Sequence, residues 1–154
     1  MPGNRLKLEL TESMLIQHTA QLSETLDSLR SLGIEVMIDD FGTGFSSLSY
    51  LAHLPMDALK VDRSFISGQH QTAESIEIVR CIVAMAKAMG IHTVAEGVET
   101  SEQATWVKDM DCDYAQGYYY SKPITASQAK EVAEKSLKSQ DNKGSLFSNE
   151  WIEI

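Results

Sequence analysis

MIDDFGTG, residues Met37–Gly44, decides how the rest of the chain is read. The run that leads into it, Ile34 to Asp39, is rich in β-branched and apolar residues, as in a strand buried on both faces of a parallel sheet. Two adjacent aspartates follow, then a turn containing Gly42 and Gly44. Successive strand residues point to opposite faces. Neighbouring carboxylates can therefore serve one site only if the strand ends there in a bulge or turn, which the glycines permit. The stretch has neither the GxxxxGK[ST] frame nor the GxGxxG frame of a phosphate-binding loop, so the glycines read as a turn.

Outward from this strand, β-type and helical runs alternate. Leu6-Lys7-Leu8-Glu9-Leu10 alternates apolar and polar residues, as a strand does. Leu22, Leu26 and Leu29 recur at helical spacing, and Gly33 suits the residue after a helix end. A short helical stretch is expected around Ser47 to His53, and a third strand over Ala58 to Asp62. Ile76, Val79, Ile82, Val83 and Ala86 mark one face of a long helix closed by Gly90. A strand over Ile91 to Glu96 follows, then a helix capped by Thr100 or Ser101 and running to about Met110. Tyr114 to Tyr119 reads as the fifth strand. Thr125 with Gln128 has capping-box spacing and starts a helix to about Lys138. Five strands alternating with helices define an α/β fold with a parallel sheet. The reading divides the chain into a domain over 1–138 and a C-terminal tail over 139–154. In the tail, Phe147, Trp151, Ile152 and Ile154 are costly to leave in water, so docking or pairing is expected.

The chain has 154 residues, enough for one domain with a core. Its net charge of −9 argues against DNA or other sequence-independent nucleic-acid binding, which needs a basic surface. No apolar run reaches a membrane span, and the N-terminus lacks the apolar core of a signal peptide. With Cys81 and Cys112 at no metal-binding spacing, the expectation is a cytoplasmic chain with two reduced, semi-buried thiols. An acidic site can still bind phosphate when divalent ions lie between the two.

Polar residues collect at the C-terminal ends of the strands. Glu9 and Glu12 belong to the first, Asp39 and Asp40 to the second, Lys60 and Asp62 to the third, Glu96 and Glu99 to the fourth, and Gln116 to the fifth. In barrels and doubly wound folds that rim carries the active site. Glu9, Asp39, Asp40, Glu96 and Glu99 would form an oxygen-rich cage suited to Mg²⁺ or Mn²⁺, since no His or Cys converges with them. His18, His53, His70 and His92 are scattered and read as surface or packing residues. Two such ions can activate a water for in-line displacement at phosphorus. Lys60 could orient or deprotonate that water or neutralise a phosphate oxygen. The plainer alternative pairs Lys60 with Asp62.

Five segments in order, ELTES (Glu9–Ser13), DDFGTGFSSLSYL (Asp39–Leu51), LKVDRSFI (Leu59–Ile66), VAEGVET (Val94–Thr100) and QGYYYSKP (Gln116–Pro123), resemble the EAL-domain family, the cyclic di-GMP phosphodiesterases of bacterial signalling. The resemblance runs from about Leu6 to about Ala133. It implies a TIM-type barrel with one strand reversed and two Mg²⁺ or Mn²⁺ ions that hydrolyse one phosphodiester of cyclic di-GMP to the linear dinucleotide. By resemblance Glu9, Asp39 and Asp40 match metal ligands, and Lys60 matches the lysine on the attacking water. Glu96 matches a further metal-site glutamate, Glu99 a nearby acid, and Gln116 a contact to water or substrate. Asp62 and Pro123 fall on the substrate side. Glu12 matches the glutamate anchoring the loop after Asp40. That loop, Phe41 to Leu51 with Gly42, Thr43 and Gly44, matches the segment coupling metal binding to a homodimer interface.

One departure is as informative. The family's Glu-Ala-Leu strand, whose glutamate is a metal ligand, has no counterpart in this sequence, nor has a second-strand asparagine ligand. The expectation is an N-terminally truncated domain, with about five βα units of the eight that close a barrel. Sheet edges would then lie open at the first and fifth strands.

Overall fold

The computed structural model of the chain describes residues 3–16, 20–44, 51–67 and 72–132. Five strands, β1 (Lys7–Thr11), β2 (Glu35–Phe41), β3 (Ala58–Val61), β4 (His92–Ala95) and β5 (Tyr114–Ala115), form one sheet in sequence order. Every neighbouring pair is parallel. Helices α1 (Ala20–Ser31), α2 (Arg63–Ile66), α3 (Ala73–Met89) and α4 (Ser101–Asp109) lie between the strands. β1 and β5 are the edges of this sheet. The result is the α/β architecture expected from the sequence. No described helix is long and apolar enough to cross a membrane.

Strand alternation divides the sheet into two chemistries. Val36, Ile38, Leu59, Val61 and Ala95 join one core with Leu26 of α1, Val79, Ile82, Val83 and Ala86 of α3, and Val107 of α4. Each valine, leucine and isoleucine among them contributes about 1.5–3 kcal/mol on burial, which fixes the helices to this face. Met37, Ala58 and Val94 point the other way and form a separate small cluster with Tyr114. Glu9, Asp39, Lys60 and Glu96 share the parity of that second face. The period of two, imposed by the helix-facing core, is what aims them at one place.

Local signals set the element ends. Gly90 ends α3 with a left-handed φ of 71°. Thr100 caps α4 in a full capping box with Gln103. Thr125 and Gln128 bond reciprocally ahead of helical backbone over 126–132.

Two expectations need correction. β5 ends at Ala115 rather than Tyr119, because the chain turns at Gly117, whose carbonyl accepts from Tyr120 and Ser121 N–H. A Cβ at Gly117 would sit 2.1 Å from the Val98 carbonyl oxygen, so only glycine allows this approach. Helix α2 was not foreseen, being too short for periodicity. Its signal is Asp62, whose Oδ1 accepts the Ser64 N–H at 2.9 Å. Most of the expected helix at Ser47–His53, together with the tail Ser139–Ile154, lies outside the described residues. Of the thiols, Cys81 is exposed and Cys112 half-buried, with burial pushing the Cys112 thiol up to about 11.

Candidate functional site

Asp39 reaches the second face by simple alternation, opposite Thr11 of β1. Asp40, one residue on, would point away. The pairing of β2 with β3 instead shifts register between Ile38 and Phe41, and Asp40 takes a φ of 54°. This bulge rotates Asp40 back, so that one oxygen each of Asp39, Asp40 and Glu96 lies within 4.8 Å of the others. A left-handed non-glycine residue costs about 1–2 kcal/mol. Asp40 is also held above the ordinary carboxylate range, first by partial desolvation and then by Asp39 and Asp62. Strain and repulsion of this kind persist where the surroundings impose them for another purpose. Asp40→Gly should therefore raise metal-free stability by about 1 kcal/mol in urea denaturation. The same change should weaken Mn²⁺ binding at least about tenfold. Unchanged or lower stability would show that the bulge stores no strain.

Lys60 lies beside the acids on β3, 4% exposed. Its Nζ is 2.9 Å from Glu9 Oε1, 2.9 Å from Asp39 Oδ1 and 2.7 Å from Glu96 Oε1. Burial alone would depress the ammonium, but the contacts with Glu96, Asp39 and Glu9 outweigh it and hold Lys60 above the usual lysine range. Glu96 is pushed up by burial, with Lys60 opposing and Asp39 and Glu9 adding to the rise. The pairing with Asp62 that the sequence left open is not the one formed.

Asp39 Oδ1 bears on the metal question. It lies at ion-pair distance from Lys60, yet this buried oxygen makes no hydrogen bond. The ion pair with Lys60 compensates its charge. A triplet made only of carboxylates fits a hard divalent cation such as Mg²⁺ or Mn²⁺. Glu9 stands outside that triplet, turned to Lys60.

The loop after Asp40 is held from below. Glu12, 4% exposed, accepts the Gly42 and Gly44 N–H groups on Oε2 at 3.0 and 3.1 Å. Thr43 Oγ1 donates to the Asp40 carbonyl at 2.9 Å. A Cβ on Gly44 would meet the Glu12 carboxyl carbon at 2.9 Å, so the glycine permits the anchor. Phe41 itself is buried in the helix-facing core.

Beside the acids opens a cleft of ≈ 410 Å³, lined in part by Arg63, Glu96, Glu99, Gln116, Tyr118 and Pro123. Glu99, Gln116 and Pro123 are thus brought to the cleft but not into the carboxylate triplet. Asp62 caps α2 and so places Arg63 in the cleft lining, against Gly97. Arg63 and Tyr118 were not picked out from sequence. The Asp-x-Ser cap before α2 could have pointed to the first, and Tyr118 was hidden inside an expected strand.

The EAL domain family model matches residues 1–123. The cyclic di-GMP phosphodiesterase NbdA of Pseudomonas aeruginosa is 47% identical over 119 residues, covering 77% of this chain and 15% of NbdA. The EAL domain of Mycobacterium smegmatis DcpA superposes with a TM-score of 0.82 at 42% identity, over 88% of this chain and 60% of that one. Klebsiella pneumoniae BlrP1, in a manganese and cyclic di-GMP complex, gives a TM-score of 0.73 at 34% identity, over 80% of this chain and 32% of that one. The chain therefore spans only a small part of such curated relatives. Through its five parallel strands and the acids at their ends, it belongs to the EAL-domain family.

Proposed function

We propose that this chain supplies the C-terminal portion of a site that hydrolyses one phosphodiester of cyclic di-GMP to the linear dinucleotide by a two-metal mechanism. The observation that carries the reading is the Asp39, Asp40 and Glu96 triplet beside the cleft. The relatives' names and the BlrP1 complex supply the substrate class.

In this reading Asp39, Asp40 and Glu96 hold divalent ions, Mg²⁺ or Mn²⁺, with Glu9 available from the adjacent strand. What such ions supply when bound is Lewis acidity toward phosphate oxygens and a water of lowered pKa. The protein's own groups do the rest. Lys60, ringed by carboxylates, is an ammonium with three donors and no acceptor, so it orients the nucleophilic water by donating to its oxygen. Arg63 donates to phosphate oxygens from the cleft lining. Tyr118 and Pro123 offer apolar surface to a base, and Glu99 and Gln116 supply polar contacts beside the reacting phosphate. Asp62 acts on substrate through the α2 turn that carries Arg63. Glu12, by fixing Gly42 and Gly44, holds the turn after Asp40; the homodimer contact we propose involves residues 41–51, of which 45–50 lie outside the described residues.

A second reading, a non-catalytic cyclic di-GMP-binding or protein-interaction module, is favoured by one fact. Lys60 Nζ already lies 2.9 Å from Glu9, 2.9 Å from Asp39 and 2.7 Å from Glu96, so the acids are charge-compensated without an ion. The two separate when the chain is incubated with cyclic di-GMP and Mn²⁺, alone and with the N-terminal third of a relative's EAL domain added. Hydrolysis in either arm, abolished by Asp39→Ala, supports the phosphodiesterase. Binding without hydrolysis in both arms replaces it with the module, and the absence of both sinks the two readings together.

A further inference from the structure

Gln103 lies outside the cleft, on the buried side of α4, and is 7% exposed. Part of its bonding is ordinary capping: its Oε1 accepts the Thr100 N–H at 3.0 Å, and its backbone N–H donates to Thr100 Oγ1 at 3.3 Å. Two further bonds exceed what capping needs. Oε1 also accepts the Glu99 N–H at 2.6 Å, and Nε2 donates to the Ile66 carbonyl at 3.2 Å. One amide therefore bridges the β4–α4 loop, which carries Glu96 and Glu99, to the last residue of α2, which carries Arg63.

The loop also packs against α2 directly, and its first residue is tied to β3 by the Glu96 N–H, which donates to the Val61 carbonyl at 3.1 Å. Gly97 has a φ of 71°, and a Cβ there would sit 2.5 Å from Arg63 Cβ, so loop and α2 are in direct backbone-level contact. On its other side the loop is fixed to the end of β5. There Val98 N–H donates to the Gln116 carbonyl at 3.0 Å, and Tyr119 N–H donates to the Val98 carbonyl at 3.0 Å. The loop is thus tied to the Gln116–Tyr119 segment by backbone bonds and to α2 by packing of Gly97 on Arg63 and by the Gln103 side chain.

We propose that Gln103 is a positioning residue for the cleft, holding the Glu96–Glu99 loop against α2 and so setting where Glu96 and Glu99 sit relative to Arg63. The inference rests on the cleft being the nucleotide site, but the strap can be tested without that. Gln103→Glu keeps the acceptor for the Glu99 and Thr100 amides and replaces the donor to Ile66 with a charged oxygen facing that carbonyl. Gln103→Met removes both halves at similar volume. Amide exchange by NMR is measured on the full chain and both variants, together with Mn²⁺ and cyclic di-GMP affinities. In the wild type the Glu99 and Thr100 amides should be protected. They should stay so in Gln103→Glu and exchange at least about tenfold faster in Gln103→Met. Mn²⁺ affinity should hold within about twofold in Gln103→Glu, because Gln103 touches none of the triplet oxygens. Cyclic di-GMP affinity should fall about fivefold in Gln103→Glu and further in Gln103→Met. A merely structural glutamine would move both affinities together. Amides unprotected in the wild type, or unchanged in Gln103→Met, overturn the proposal. So does nucleotide affinity that survives both substitutions. If the wild type binds Mn²⁺ but no cyclic di-GMP, the functional reading fails instead, and the amide pattern alone decides the strap.

Discussion

Lys60→Met is expected to cost about 3 kcal/mol of metal-free stability near neutral pH. The side chain is almost fully buried, and its ammonium is the shared partner of Glu9, Asp39 and Glu96. Methionine fills the volume but leaves these acids facing one another. Glu9 is half-exposed and can turn to water, which keeps the figure at the low end for a broken buried pair. The pH dependence separates this cause from a packing defect. Without Lys60, Glu96 loses the partner that opposes its upward shift, so its folded-state pKa rises further above the unfolded value. Folding then favours proton uptake, so the penalty is full above the folded pKa and fades as pH falls through it. Urea denaturation of wild type and variant should show the gap narrowing as pH is lowered from neutral. A gap that stays constant would assign the loss to packing. Adding Mn²⁺ should also narrow it, since cations replace the lost charge among the acids.

Glu12→Ala should cost about 2–3 kcal/mol, read in the same denaturation assay. Two backbone N–H groups, from Gly42 and Gly44, donate to one ionised, buried oxygen. Bonds to charged acceptors are worth more than neutral ones. The turn itself is exposed, so the freed amides regain water and the loss stays below that of two fully buried orphans. Glu12→Gln keeps an oxygen in place and should recover more than half of the stability. Because the turn follows Asp40 directly, the alanine variant should also bind Mn²⁺ several-fold more weakly, while Glu12→Gln stays near wild type. If Mn²⁺ affinity is untouched by Glu12→Ala, the anchor supports the fold only.

How much of this was legible in the chain can be judged from particular residues. Ile34–Asp39 and Ala58–Asp62 announced themselves as strands because both their faces are apolar until the rim. Gly90 and the Thr100 or Ser101 cap marked helix ends because backbone conformation and capping are local chemistry. Glu12 was placed as an anchor only by resemblance, and its two loop bonds supply the physical content. The fifth strand was read too long because Tyr118, Tyr119 and Tyr120 favour β structure in isolation, and the close approach of Gly117 to Val98 overrides that preference.

The sequence by itself determined the alternating α/β order, the parallel sheet and the rim on which the acids fall, since periodicity and capping are written within a few residues of one another. Only the tertiary structure decided which acids meet. Lys60 chose Glu9, Asp39 and Glu96 over Asp62 because strand register, a long-range property, sets its neighbours. Asp40 joined Asp39 because one residue of β2 slips against β3 and takes up a left-handed turn. Gln103 spans α4 and α2 because two segments 37 residues apart pack together, a proximity that no local pattern encodes.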